Sequence, residues 1–339
     1  MSERKRILIT GASGFIGGFL VDEALRLGYD VWAGVRAGSS HERLRNENIR
    51  FINLRYDDKA ALTEQLCEIV STSGAWHYVI HNAGITKALN KSDYYKVNAH
   101  YTHNLLEALA EAGCKPEKFL LMSSLSSFGP VRESSPIMIC DRDKQLPDSI
   151  YGKSKLEAEL FVKNQTYFPY IIFRPTGVYG PGDKDYLMAI RSIKSGLDLK
   201  VGMIPQKLTF IYVKDLAAAV FLAIENPAIR NSSYFIADGD VYSDSEFTGI
   251  IKQLLGKRFV FNLRIPMWMC YIACFCSEFA GIIKRKSMTL NTDKYKILKQ
   301  RNWVCETDLM QRELEFSPKY RLKEGLEETI RNYLNIGLL

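Results

Sequence analysis

The chain has 339 residues, 47% of them hydrophobic and 24% charged, and 45 Lys and Arg against 38 Asp and Glu leave a formal charge of +7. That much apolar content with nearly balanced charge excludes intrinsic disorder. The modest cationic excess suits an anionic small ligand and falls short of the clustered basic face that nucleic-acid binding requires.

Seven cysteines without a CxxC pair exclude a disulfide scaffold and indicate reduced thiols in the cytoplasm. At about 150 residues per domain, the length suits a main domain with a second lobe. The first basic residues, Ser2-Glu3-Arg4-Lys5-Arg6, imitate the head of a signal peptide. Glycines at 11, 14, 17 and 18 and the acids Asp22-Glu23 interrupt the apolar run behind them, so residues 6–10 read as a buried strand. A helix over 14–27 follows, then strands at 30–35 and 77–81, a helix over 92–112 with Ser92 as its N-cap, and a strand at 119–122. Residues 149–164 read as a helix and 170–173 as a strand. Continuous apolar strands alternating with helices predict an α/β, Rossmann-type, doubly wound parallel sheet. Beyond Arg174-Pro175 the rhythm breaks into short pieces. Residues 1–175 are therefore expected to form the dinucleotide-binding domain and 176–339 mainly a smaller C-terminal α/β substrate lobe, with segments near 210–220 and 234–240 returning to the main domain.

Residues 265–283 form the longest apolar stretch outside the sheet, but Pro266, Ser277, Glu278 and Gly281 make it a poor membrane span. It reads as a packed helix of the substrate lobe. A peripheral membrane contact, suggested by the cationic flanks Arg264 and Lys284-Arg285-Lys286, is the lesser reading.

Thr10-Gly11-Ala12-Ser13-Gly14-Phe15-Ile16-Gly17 joins the first strand to the first helix. Glycines there allow a tight turn and close approach of backbone to a pyrophosphate, and the helix start offers free N–H groups and a positive dipole end. NAD-binding chains usually carry an acid about 20 residues further on, for the ribose 2′-hydroxyl. Here the stretch Val31-Trp32-Ala33-Gly34-Val35-Arg36 has none, and the Arg36 guanidinium suits a 2′-phosphate. NADP(H) is favoured, with NAD(H) the alternative.

Tyr151 and Lys155 stand at i and i+4, on one side of a helix. A neighbouring ammonium is expected to draw a phenol pKa down and make it a usable proton donor and acceptor. A serine of the run Ser123-Ser124-Leu125-Ser126-Ser127, at the carboxyl end of a strand, can donate to a developing alkoxide. His100 and His103 lack further ligands at matching spacing, so no metal site is expected.

These motifs, together with HNAG at 81–84, VN at 97–98, YGKSK at 151–155, RPTGVYGPGD at 174–183 and FIYVKDLA at 210–217, resemble in order the extended short-chain dehydrogenase/reductases, or NAD-dependent epimerase/dehydratase family. The resemblance covers about residues 6–240. It implies a Ser–Tyr–Lys group of Ser124, Tyr151 and Lys155, with Asn98 near the nicotinamide. It implies cofactor contacts from Gly11, Ser13, Gly14, Phe15, Ile16 and Gly17, from Asn82, Ala83 and Gly84, and from Pro175, Thr176 and Val178. Thr86 and Ser126 are the substrate-contact candidates. Leu125 and Ser126 stand where dehydratases carry Asp-Glu, so water elimination is not implied. Leu54-Arg55 replace a Gly-Asp pair, which leaves Tyr56 or Asp57 for the adenine. The pattern at 31–36 is most similar to the branch of 3β-hydroxysteroid dehydrogenases and dihydroflavonol-type reductases.

The expected activity is hydride transfer between a nicotinamide and a secondary alcohol or ketone. The stripe Met267, Trp268, Met269, Tyr271, Phe275 and Phe279 suggests an apolar or ring-shaped substrate, unless it is plain core. The alternatives are a nucleotide-sugar epimerase with tightly held NAD, using Lys184, Arg191 and Lys207 on a diphosphate, and a non-catalytic dinucleotide sensor. Family members often pair through the helices carrying Asn98 and Tyr151, so a homodimer is an expectation from the resemblance.

Overall fold

The computed structural model describes residues 4–133 and 137–339; Ser2 and Glu3 of the N-terminal basic run lie outside the described residues. The chain runs through β1 (Arg6–Thr10), α1 (Phe15–Arg26), β2 (Asp30–Gly34), β3 (Arg50–Ile52), α2 (Lys59–Ser73) and β4 (Tyr78–His81). Next come α3 (Ser92–Tyr95), a π-helical turn (Lys96–His100), α4 (Tyr101–Glu111), β5 (Lys118–Met122), α5 (Ile150–Asn164) and β6 (Tyr170–Pro175). The remainder comprises β7 (Gly177–Tyr179), α6 (Asp185–Lys194), β8 (Leu197–Val201), β9 (Lys207–Leu208), β10 (Phe210–Tyr212), α7 (Val213–Glu225) and β11 (Ser232–Ile236). It ends with β12 (Tyr242–Ser243), α8 (Asp244–Leu254), β13 (Phe261–Ile265), α9 (Met267–Ile283), α10 (Thr292–Lys299), β14 (Asn302–Trp303), α11 (Asp308–Leu314) and α12 (Leu322–Asn335).

Seven strands form one sheet in the order β11-β6-β5-β4-β1-β2-β3, and every neighbouring pair is parallel. The apolar strand runs are buried on both faces: Ile7 and Ile9 join the core beneath α1 and α7, while Leu8 joins the core beneath α2, α4 and α5. The chain starts in the middle of the sheet and winds outward both ways, so the strand order reverses between β1 and β4. Ligands of such sheets sit at this switch point, outside the carboxyl ends of the strands.

A further core lies around α6, α8 and α12, where Tyr179, Phe210, Tyr212, Phe247 and Tyr333 pack together. β11 extends the main sheet beside β6. The 210–212 segment does not: β10 pairs with β7 in a separate two-stranded sheet. The following helix, α7, returns to the main core through Leu216, Val220 and Phe221.

Two local expectations are corrected. The stretch 92–112 is not one uniform helix. α3 begins after Lys91 with no side-chain cap, and residues Lys96–His100 form a wider turn before α4. Asn98 lies in that turn and is buried, and such wider turns are frequent at functional sites. Nor is 265–283 a packed core helix. On α9 only Cys270, Cys274 and Gly281 are fully buried.

Candidate active site

The cradle is built from backbone. Gly11 adopts φ +64°, and a Cβ there would stand 2.9 Å from the backbone of Ala83. At Gly17 a Cβ would fall 2.1 Å from the Gly11 carbonyl, so any side chain would drive the α1 start away from the β1 turn. Ala12 N–H bonds the Gly34 carbonyl at 3.2 Å, fastening the turn to the end of β2. No side chain caps the α1 N-terminus at Gly14. A close glycine turn leading into an uncapped helix start fits a dinucleotide pyrophosphate.

Behind the cradle, Thr10, His81 and Thr102 form a buried chain. Thr10 Oγ1 lies 2.9 Å from His81 Nδ1, and His81 Nε2 lies 3.0 Å from Thr102 Oγ1. Burial holds the His81 imidazole neutral, its pKa pushed down to about 3. The same Thr10 hydroxyl accepts the Ala83 N–H at 3.0 Å, and Asn82 Nδ2 donates to the Gly11 carbonyl at 3.4 Å. Segment 82–84 is thus fixed against the cradle.

Asn98 is held at both ends of its amide. Its Oδ1 accepts the Ile85 N–H at 2.8 Å, and its Nδ2 donates to the Ile85 carbonyl and to Ser154 Oγ, each at 3.0 Å. A Cβ on Gly84 would stand 3.0 Å from Asn98 Oδ1 and 3.1 Å from Lys155 Nζ. Glycine at 84 therefore lets β4, the π-helical turn and α5 converge. Lys155 Nζ donates to the Met122 carbonyl at 2.9 Å. Burial lowers its pKa to about 8.

The Tyr151 phenol lies close enough to the Ser124 side chain for that hydroxyl to act on its pKa, and Ser124 Oγ accepts the Ser126 N–H at 3.2 Å. The tyrosine, the serine, the lysine and Asn98 are thereby gathered at the carboxyl ends of β4 and β5. The phenol does not behave as anticipated: burial pushes the Tyr151 pKa up, and the Ser124 hydroxyl offsets only part of that rise. The Lys155 ammonium is turned to the Met122 carbonyl and does not draw the phenol down.

Glu159, one turn beyond Lys155, anchors the serine loop. It accepts Ser123 Oγ at 2.6 Å and Ser127 Oγ at 2.8 Å, and it pairs with Arg174 at 2.9 Å. Two of the loop serines are thus structural, while Ser124 faces Tyr151. Of the substrate candidates, Ser126 is buried under α5, where a Cβ on Gly152 would fall 2.3 Å from its carbonyl. Thr86 is exposed and gives its carbonyl to the Tyr94 hydroxyl at 3.3 Å.

Arg36 is exposed two residues past the end of β2, whose last residue, Gly34, accepts the Ala12 N–H of the cradle. Tyr56 stacks on Tyr101 with ring centroids 5.2 Å apart, and Asp57 is bound by Lys96 at 2.5 Å and by the Tyr101 hydroxyl at 2.6 Å. Both line a depression of about 600 Å³ with Lys96, His100 and Tyr101, so their side chains are already engaged with α4. Thr176 N–H bonds the Ile236 carbonyl at 3.1 Å and Val178 pairs with Ile211, so Pro175, Thr176 and Val178 follow the end of β6 towards the lobe. Of the cations considered for a diphosphate, Arg191 is tied to the Leu338 carbonyl at 2.9 Å, and Lys184 and Lys207 are exposed. Among the described residues no group of three or more His, Cys, Asp or Glu is placed to hold a metal ion.

One residue at this site has no signal in the sequence. Asp293, from the lobe, accepts the backbone N–H of Ile150 at 2.5 Å and of Tyr151 at 3.1 Å. It caps the helix that carries the tyrosine from 142 residues away. Locally it reads only as an acid in the first turn of α10, behind the Asn291 cap. Asp293→Ala is expected to cost about 1 kcal/mol of stability, seen as a lower urea midpoint; an unchanged midpoint would remove the cap from this account.

A glycine cradle on a parallel sheet, with Tyr, Lys and Ser at the switch point, defines a dinucleotide-dependent enzyme of the Rossmann class. The chain belongs to the NAD dependent epimerase/dehydratase family, whose model matches residues 7–237. It is 26% identical to the UDP-glucose 4-epimerase of Vibrio cholerae over 97% of this chain and 96% of that one. It is 24% identical to the 3 beta-hydroxysteroid dehydrogenase/Delta 5-->4-isomerase of Vaccinia virus (strain Western Reserve), over 95% and 96%. Human short-chain dehydrogenase/reductase family 42E member 1 is 26% identical over 83% and 75%. Among solved structures, the UDP-glucose 4-epimerase of Thermotoga maritima with UDP-glucose superposes with a TM-score of 0.76 at 22% identity, covering 98% and 100%. WbmG of Bordetella bronchiseptica, in complex with NAD and UDP, gives 0.77 at 17%, covering 99% and 97%.

Proposed function

We propose that this protein is an NADP(H)-preferring oxidoreductase acting on a secondary alcohol or ketone of apolar or ring-shaped character. The observation that carries the reading is the convergence of Lys155 and Asn98 beside Gly84, with Tyr151 one helical turn before the lysine and close to Ser124. Gly11, Ser13, Gly14, Phe15, Ile16 and Gly17 would hold the pyrophosphate. Asn82, Ala83 and Gly84 would line the ribose, and Pro175, Thr176 and Val178 the nicotinamide side. When bound, the dinucleotide supplies the hydride donor or acceptor.

The chain's own residues handle the proton and the oxygen. Ser124 donates a hydrogen bond to the substrate oxygen. Tyr151 gives that oxygen its proton in reduction and takes it back in oxidation. Lys155, charged below a pKa of about 8, would favour the phenolate left behind once its ammonium turns from the Met122 carbonyl towards the phenol. Asn98 keeps the 84–85 backbone in place through its paired bonds to Ile85. Thr86 stands at the substrate side. We take residues 1–175 with α7 and β11 as the dinucleotide-binding body, and most of the rest as the substrate lobe. The reading places the protein in the cytoplasm, where its seven unpaired cysteines stay reduced. It also includes a homodimer through α4 and α5.

A groove of about 520 Å³ lies where α9 and α10 face the α5 start, lined by Tyr271, Phe275, Phe279, Thr292, Tyr295 and Asp148. Its rings support an apolar ligand. The epimerase reading is favoured by the full-length similarity to the Vibrio cholerae protein, although Arg191 is occupied elsewhere. The test is to offer NADPH or NADH with a panel of cyclic ketones and to follow nicotinamide oxidation. Turnover with freely exchanging NADPH supports the proposal. NAD that survives dialysis, with UDP-sugar interconversion, would replace it by the epimerase.

Arg36→Glu separates the cofactors. Removing a charge-assisted contact to a 2′-phosphate costs about 1.5–3 kcal/mol, roughly a 10- to 100-fold weaker NADPH affinity. NADH binding is expected to change little. Equal losses for both dinucleotides would take Arg36 out of the cofactor site.

A further inference from the structure

We propose that the outward face of α9 seats the protein on an anionic lipid surface. Trp268, Ile272, Phe275, Phe279, Ile282 and Ile283 are each between 50 and 68% exposed. Positions 268, 272, 275, 279 and 282 follow the helical repeat and form one stripe, with Ile283 at its edge. The helix is therefore amphipathic in the inverse sense: Cys270, Cys274 and Gly281 pack on the protein and the large apolar residues are exposed, Phe275, Phe279 and Ile282 beside the groove towards α10. The strand leading into it behaves alike. On β13, Phe261 and Leu263 share one face, Leu263 lies opposite Leu199 of β8, and all three are exposed. Phe259, just before β13, is 91% exposed. Apolar surface this extensive is uncommon on a protein that stays free in water and marks a contact site.

The charges identify the occupant. Lys257 and Arg258 precede the apolar surface, Lys284, Arg285 and Lys286 follow it, and all five are exposed. The acid between them, Glu278, is turned inward, accepting the Thr292 N–H at 2.8 Å and lying 4.0 Å from Lys91. Arg264 is held by Asp244 at 3.0 Å. Cations thus flank the apolar segment on both sides along the chain. A second copy docked on the same face would bring these like charges together. A layer of anionic headgroups complements them, while the acyl boundary takes up the rings and branched side chains. Among the described residues no helix is long and apolar enough to cross a membrane, so the contact lies in the plane of the surface.

The test is flotation of the full-length protein with vesicles of phosphatidylglycerol and phosphatidylcholine, against phosphatidylcholine alone. The protein is expected to float with the anionic vesicles and to bind the neutral ones at least about tenfold more weakly. The double variant Trp268→Ser/Phe279→Ser is expected to lose flotation, and Lys284→Glu/Arg285→Glu/Lys286→Glu to weaken it by roughly tenfold or more. Circular dichroism melts establish that both variants fold, as their exposed positions require. The proposal is overturned if the unaltered protein stays unbound with anionic vesicles, or if both folded variants bind as well as it does. It is equally overturned if the double variant instead halves the mass seen in sedimentation, which would make a second copy the occupant of this face.

Discussion

Tyr151→Phe is expected to lower kcat for ketone reduction by about 10²- to 10⁴-fold, the usual contribution of a positioned proton donor, while NADPH binding is retained. The substitution removes one oxygen and leaves the ring, which is packed at the α5 start under the Asp293 cap. The loss should therefore appear in turnover and not in stability. Ser124→Ala should follow the same pattern, because in the proposed function the two neighbouring hydroxyls would share the substrate oxygen. The pH dependence adds a sign. Lys155 is charged below its pKa of about 8 and neutral above it, so its support for a phenolate is lost as the pH rises. For reduction, kcat/KM is expected to fall above about pH 8, the limb reporting an ionisation of the free enzyme. A Tyr151→Phe protein that turned over at the original rate would sink the oxidoreductase reading as a whole.

Glu159→Ala should destabilise the fold by about 3–5 kcal/mol, the cost of breaking a buried ion pair from one side. The carboxylate is fully buried, and the Arg174 guanidinium beside it is 2% exposed. Without Glu159, Arg174 keeps only Asp141, at 2.6 Å, and its place over the Phe128 and Phe235 rings. Ser123 and Ser127 would lose their acceptor at the same time, so the loop holding Ser124 would loosen and activity would fall with stability. Glu159→Gln keeps an acceptor for both serines and should cost less. Burial alone would push the Glu159 carboxyl up. The Arg174 charge and hydrogen bonds, with Ser123, outweigh it and hold the pKa below the ordinary 4.5. The stabilisation is therefore complete above about pH 4.5 and is lost as the pH falls through the lower folded value. Thermal unfolding between neutral and acid pH measures both effects; an unchanged melting temperature in the Ala variant would show that the network carries no net stability.

The parts of the site readable along the chain were those carried by one local segment. The cradle over 10–17 is a contiguous strand–turn–helix, and its glycines are required by contacts within or next to it. Tyr151 and Lys155 share one helix, so their common side follows from helical repeat. The adenine side was harder. Tyr56 and Asp57 sit at the third strand end, but their side chains are occupied by α4, with Asp57 bound to Lys96 and Tyr101. The direction of the Tyr151 pKa also depended on depth of burial, which i,i+4 spacing does not report.

By itself, the order of apolar runs and glycine turns determined a parallel, doubly wound sheet and the end at which its ligand binds, because these follow from periodicity and backbone sterics acting over short distances. Tertiary structure decided the rest. It placed Asp293 on the Tyr151 helix from a distant lobe, widened the turn that holds Asn98, sent β10 to pair with β7 away from the main sheet, and left α9 facing water. Each of these depends on which surfaces meet after the chain has folded. An apolar stripe has the same sequence whether it packs inward or stands exposed.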